Sequence, residues 1–136
     1  MINMFLSRKV LLSLLILWTA SAATGLADCH FKHGQHVVLY STADDPSVLM
    51  WDSRARLREY HAASFDEAQA MLPHALLVSP GTHADVMVCV PGYVVSPLFQ
   101  TPDDAVGILI TSGSLRGVAR WVLGSDVRLT HLTAHR

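Results

Sequence analysis

Apolar positions along this chain fall into two regimes. The first is one unbroken run, "VLLSLLILW", from Val10 to Trp18. The second begins near Gln35 and consists of short apolar stretches cut by turn formers, the rhythm of an all-β domain. "QHVVLYS" (Gln35–Ser41) is β-branched and aromatic and predicts a strand, which "TADDP" (Thr42–Pro46) breaks. "SVLMWDS" (Ser47–Ser53) predicts a second extended piece. One helix is predicted over 64–72: Ser64 is an N-cap with Glu67 three residues on, a capping box, and Pro73 stops it. Ala68, Met71 and Leu72 share one face of that helix, which should lie against the barrel or plug its end. Strands follow at "HALLVS" (His74–Ser79) and "ADVMVCV" (Ala84–Val90), whose alternation sets Val86, Val88 and Val90 against Asp85, Met87 and Cys89. Pro80-Gly81 and Pro91-Gly92 read as turns, "YVVS" (Tyr93–Ser96) as a further extended piece and 97–104 as a loop. "AVGILITS" (Ala105–Ser112) and "VARWVL" (Val118–Leu123) predict a hairpin, and "LTHLT" (Leu129–Thr133) a last strand. Five or six short strands with one added helix predict a mainly β fold, a small barrel.

The unbroken run is not part of that fold. Arg8 and Lys9 form a positive start, Val10–Trp18 an apolar core, and "TASAATGLA" a small-residue end with Gly25 and Ala27 at the −3 and −1 positions. Residues 1–27 therefore read as a signal peptide cut before Asp28, with "SAA" (Ser21–Ala23) an earlier option, leaving 28–136 as a single domain. The alternative is an uncleaved anchor, although the dense apolar part is short for a membrane span. Export implies a periplasmic or extracellular location and no stable membrane span after cleavage.

Charge changes the picture slightly. The whole chain carries a formal −1, and loss of Arg8 and Lys9 leaves eight basic against eleven acidic residues, a formal −3. That balance argues against nucleic acid as a partner. Two cysteines, Cys29 and Cys89, both survive cleavage; in an oxidising compartment the simplest reading is a disulfide, with two free thiols the alternative.

The stretch "VGILITSGSLRGVARWVLGSDV" resembles the end of the Src-homology-3-like (SH3-like) barrels of exported bacterial proteins. Their pattern is an apolar strand, a turn with Gly, a second Gly, a Trp-Val pair and a single-turn helix before the closing strand. Here those positions are Gly113, Gly117, Trp121, Val122 and Ser125–Val127, and "SPGTHADVMV" (Ser79–Val88) is similar to the preceding strand. The resemblance spans roughly 79–129 and departs from the pattern at Arg120; the region 45–72 is longer than a minimal barrel needs. It implies a closed barrel with Trp121 filling the interior, and a non-catalytic binding module for a peptide or a cell-wall component.

Three constellations carry candidate chemistry. "WDSRARLREY", read as extended, puts Asp52, Arg54, Arg56, Arg58 and Tyr60 on one face, and with Trp51 beside them this is the candidate binding surface for a carboxylate, phosphate or anionic wall polymer. "CHFKHGQH" holds Cys29, His30, His33 and His36, all competent zinc or copper ligands, which with His131 and His135 of the tail make a periplasmic metal binder the competing function. In a strand, however, His33 faces away from His30 and His36, so no metal and no cofactor is expected. The acid pairs Asp44-Asp45 and Asp103-Asp104 lie in turn-like contexts where Asp serves backbone hydrogen bonds. No G-x-S-x-G, H-E-x-x-H or glycine-rich phosphate loop occurs, and a cysteine within "VMVCV" reads as buried or bridged rather than nucleophilic, so the expectation is no catalytic residue and no enzyme.

Overall fold

A computed structural model of the chain describes residues 28–41 and 45–130. The signal peptide read at 1–27 and the tail histidines His131 and His135 lie outside the described residues.

Among the described residues, seven strands and two α-helices follow one another in the order β1 (His36–Leu39), β2 (Val48–Met50), α1 (Arg54–Ala62), α2 (Phe65–Met71), β3 (Leu76–Val78), β4 (His83–Val94), β5 (Asp103–Ile110), β6 (Ala119–Leu123) and β7 (Val127–Leu129). Single 3-10 turns at Leu72–His74 and Gly124–Asp126 precede β3 and β7. Five strands form an antiparallel sheet in the order β6-β5-β4-β1-β7, and β2 pairs β3 in a separate two-stranded sheet. The fold is mainly β, as the short apolar runs predict. It is not a closed barrel. The face that closure would cover is covered instead by β2 and β3, whose Val48, Met50 and Val78 pack with Val37, Leu39, Val86, Val106, Ile108 and Val122. The outer edge of β6 is met by Trp51, which exchanges two backbone hydrogen bonds with Trp121 (2.9 and 2.8 Å).

That bridge carries a second correction. Trp51, not Trp121, is the interior indole: it is fully buried and anchors a second cluster with Leu57, Val94, Ala105 and Leu123, while Trp121 is half-buried at the cluster's margin. The two clusters lie on opposite faces of β5, Val106 in one and Ala105 in the other, which is why this strand is buried along nearly its whole length.

Segment 54–62 is helical rather than extended. Ser53 caps it by accepting a hydrogen bond from the Arg56 N–H (3.1 Å), and Arg, Ala, Leu and Glu are good helix formers. Leu57 is its one buried residue. The second helix is the expected one, with the capping box of Ser64 and Glu67 complete in both directions. Its shared face is only half-buried, through Ala68 and Met71, so it lies on the surface.

Pro91-Gly92 is not a turn. β4 runs straight through it to Val94, with register shifts against β5 between Val86 and Val88 and between Val90 and Val94. Proline offers no N–H to the ladder, and Gly92 takes a positive φ of 59°, so two irregular positions are absorbed inside one strand. The Gly92 N–H donates instead to the Asp104 carboxylate (2.9 Å). The first shift also breaks the expected alternation: Val86 is buried, whereas Val88 and Met87 are both exposed. On the other side, Asp103-Asp104 opens β5 rather than closing a loop, yet both carboxylates do accept backbone N–H groups.

Candidate functional site

The helix dissolves the predicted arginine stripe. Trp51 is in the core. Arg56 turns back to Asp52 across one helical turn (3.3 Å), and this exposed pair has little free charge to offer a ligand. Arg54 and Arg58, four residues apart, both lie over the Tyr93 ring (5.6 and 4.9 Å to its centroid). Tyr60 faces the other way, stacking on Trp51 (4.9 Å between ring centroids) and on the edge of His61. His61 in turn lies 5.5 Å from the Phe99 ring. The predicted surface is thus split into a cationic shelf on Tyr93 and an aromatic row that starts in the core.

The middle of the row, Tyr60 and His61, lines a cleft of about 210 Å³ together with Ser41, Asp45, Ser47 and Asp126. Three elements build it: the chain leaving β1 and entering β2, the last turn of α1, and the 3-10 turn before β7. Here the electrostatics depart from ordinary values. Burial, then the neighbouring Asp103 and Asp45 carboxylates, push the Asp126 carboxyl up to about 6, against the opposing pull of Arg128. Burial also lowers the His61 imidazole, with Asp103 opposing, which favours the neutral ring. Perturbed titratable groups gathered in a concavity make it the candidate site. Sequence reasoning put Tyr60 on an extended face with Arg54, Arg56 and Arg58, not in this cleft, and did not single out Asp126 or His61. Their signal was the "GSD" at 124–126 and the histidine three residues short of Ser64, neither distinguishable from turn and surface polarity. A wider groove between α1 and α2 is lined by Glu59, Ala62, Ala63, Glu67, Ala70 and Met71.

The histidine cluster does not converge. Cys29 is bridged to Cys89 with Cα atoms 6.1 Å apart. His30 holds the Asp104 carboxylate (3.1 Å), His33 lies against the Met87 carbonyl (3.3 Å), and His36 bonds the Asp85 carboxylate. Each imidazole is thus anchored to a different place on β4 or β5. Asp104 is the buried member of this set. Burial pushes its carboxyl up, but the Gly92 N–H, the hydrogen bonds from His30 and the His30 charge outweigh that and hold it below the usual carboxylate range. Among the described residues, the potential metal-ligating atoms that gather are those of Cys29, Cys89 and Asp104.

No family model matches the chain, and neither a curated protein nor a solved structure gives a significant match. The functional reading therefore rests on the geometry above.

Proposed function

We infer that the chain is an exported, non-catalytic binding module of SH3-like type that recognises a peptide or a cell-wall component, and that its ligand lies in the cleft of Asp45, Tyr60, His61 and Asp126. The order β6-β5-β4-β1-β7, a β4-β5-β6 meander extended by β1, which pairs both β4 and the last strand β7, supports the SH3-like reading. So do the Gly117 turn, with φ of 89°, and the 3-10 turn at Gly124–Asp126 just ahead of β7, where the resemblance puts a single-turn helix. A disulfide is compatible with an oxidising, exported location.

The observation that carries the reading is the cleft itself. Two carboxylates, of Asp45 and Asp126, face a phenol and a neutral imidazole in a concavity open to solvent. Such a site attracts a cationic ligand group, so the favoured ligand is a peptidic segment bearing ammonium or guanidinium groups rather than the anionic polymer that an arginine stripe would suit. Isothermal titration with peptidoglycan stem-peptide fragments, amino groups free or acetylated, tests this. Asp126→Asn and Tyr60→Ala should each weaken binding at least fivefold, while Arg54→Ala with Arg58→Ala leaves it unchanged. Binding should also weaken as pH falls from 7 to 5, because Asp126 becomes neutral through about 6. Undiminished binding by the cleft variants, or equal binding of acetylated fragments, would reject the assignment.

A further inference from the structure

We propose that the Cys29–Cys89 bridge is the oxidised, closed form of a thiol-gated site for a thiophilic divalent cation such as zinc, with Cys29, Cys89, Asp104 and His30 as its ligands. The donor atoms of Cys29, Cys89 and Asp104 all lie within 4.8 Å of one another. The His30 ring lies outside that gathering but is hydrogen-bonded to the Asp104 carboxylate at 3.1 Å on a side chain that is 85% exposed, and it would have to swing toward the ion to complete the set. Two thiolates, a carboxylate and an imidazole match zinc in both donor softness and number.

The two halves of the set are held differently. Cys89 is paired to Val106 in the β4–β5 ladder, and Asp104 opens β5 with its carboxylate fixed by the Gly92 N–H at 2.9 Å. These two are preorganised by the sheet. Cys29 and His30 come from the arm ahead of β1, tied to the sheet by the disulfide, by the His30–Asp104 contact and, from Phe31 onward, by core packing of Phe31, the His33 contact with the Met87 carbonyl and the hydrogen bonds that join Gly34 and Gln35 to Val86. Cutting the bridge lets the sulfurs part from bonding distance to the roughly 3.7 Å separation that tetrahedral zinc requires at about 2.3 Å per sulfur. A movement of this size lies within the reach of an arm.

The chemistry balances with a dithiol as reductant. Exchange transfers the disulfide to that dithiol and leaves two thiols on Cys29 and Cys89; the cation then displaces both thiol protons. Ionising both thiols without a cation would set two thiolates beside the buried Asp104 carboxylate, three negative charges together, so the reduced pair keeps its protons until a cation displaces them. Because the cation binds the reduced form alone, its presence must shift the thiol–disulfide equilibrium toward reduction. This site is separate from the cleft and does not depend on the function proposed for it.

Cadmium titration of the purified protein, oxidised and after reduction by a dithiol-free phosphine, tests the proposal through the thiolate-to-cadmium charge-transfer band in the ultraviolet. The reduced protein should give a band saturating at one equivalent and the oxidised protein none. Asp104→Asn should weaken the reduced protein's affinity at least tenfold, and His30→Ala by a smaller factor. If reduction alone costs the far-ultraviolet sheet signal, its return on adding zinc supports the site, and failure to return counts against it. A reduced protein that binds cadmium no more tightly than the Cys29→Ser/Cys89→Ser variant, or an Asp104→Asn variant that binds as the parent does, overturns it.

Discussion

Asp126 sits in the 3-10 turn before β7, partly out of water, with the Asp103 and Asp45 carboxylates in its field. Its folded pKa of about 6 lies above the ordinary carboxylate value, so the protonated form favours the folded state. The associated stability is fully present below about 3.9, the unfolded value, and is lost as pH rises through about 6. Asp126→Asn should therefore raise the melting temperature at pH 7.5, by ~4 °C for about 1 kcal/mol after discounting for solvent, and give no gain at pH 4. A calorimetric scan at both pH values checks the sign. A measured stability cost from Asp126 at neutral pH would support the proposed site at the residue scale. The two indoles give a second check. Trp51→Ala should cost about 3–5 kcal/mol, as expected for an aromatic removed from a core, and Trp121→Ala distinctly less, read by urea unfolding. The Trp51 Nε1–H is buried without a hydrogen-bond partner among the described residues, so Trp51→Phe should lose less than the missing volume alone would suggest.

Among the elements, the helices show what local pattern can and cannot say. α2 was legible because a capping box is a short-range device: Ser64 and Glu67 satisfy one another's backbone groups whatever surrounds them. Ser64→Ala should cost about 1 kcal/mol in urea unfolding at constant slope. In α1 the alternation of arginine with apolar residues in "RARLREY" fits a strand face as well as it fits a helix. Ser53 as N-cap and the scarcity of β-branched residues were the local hints. What decided the matter was Leu57, which only a helix at this place buries beside Trp51 and Val94. β4 errs in the opposite sense. Pro91-Gly92 is a turn signal by composition, but the neighbouring strand supplies Asp104 to receive the Gly92 N–H, and the strand continues.

For the molecule as a whole, the disulfide is the longest-range fact that sequence reasoning reached, and it joins the arm ahead of β1 to β4 over a separation of 60 residues. Cys29→Ser/Cys89→Ser should lower the unfolding free energy by about 2–4 kcal/mol, since a loop of that length gains much entropy when released in the unfolded chain. Chemical denaturation under oxidising conditions measures it, and an unchanged midpoint would mean that the bridge leaves the unfolded chain unrestricted. What the amino-acid order determined by itself was local or nearly so: strand-forming runs, one capped helix, the glycines of the hairpin and an even pair of cysteines. Each follows from propensity, hydrogen bonding or redox chemistry within reach of a few residues. Only the tertiary structure decided which indole enters the core, that β2 and β3 cover the sheet instead of letting it close, and that Asp45, Tyr60, His61 and Asp126 share one cleft. Those outcomes depend on which surfaces meet after the chain has turned back on itself, and no periodicity in the sequence encodes a meeting between positions so far apart.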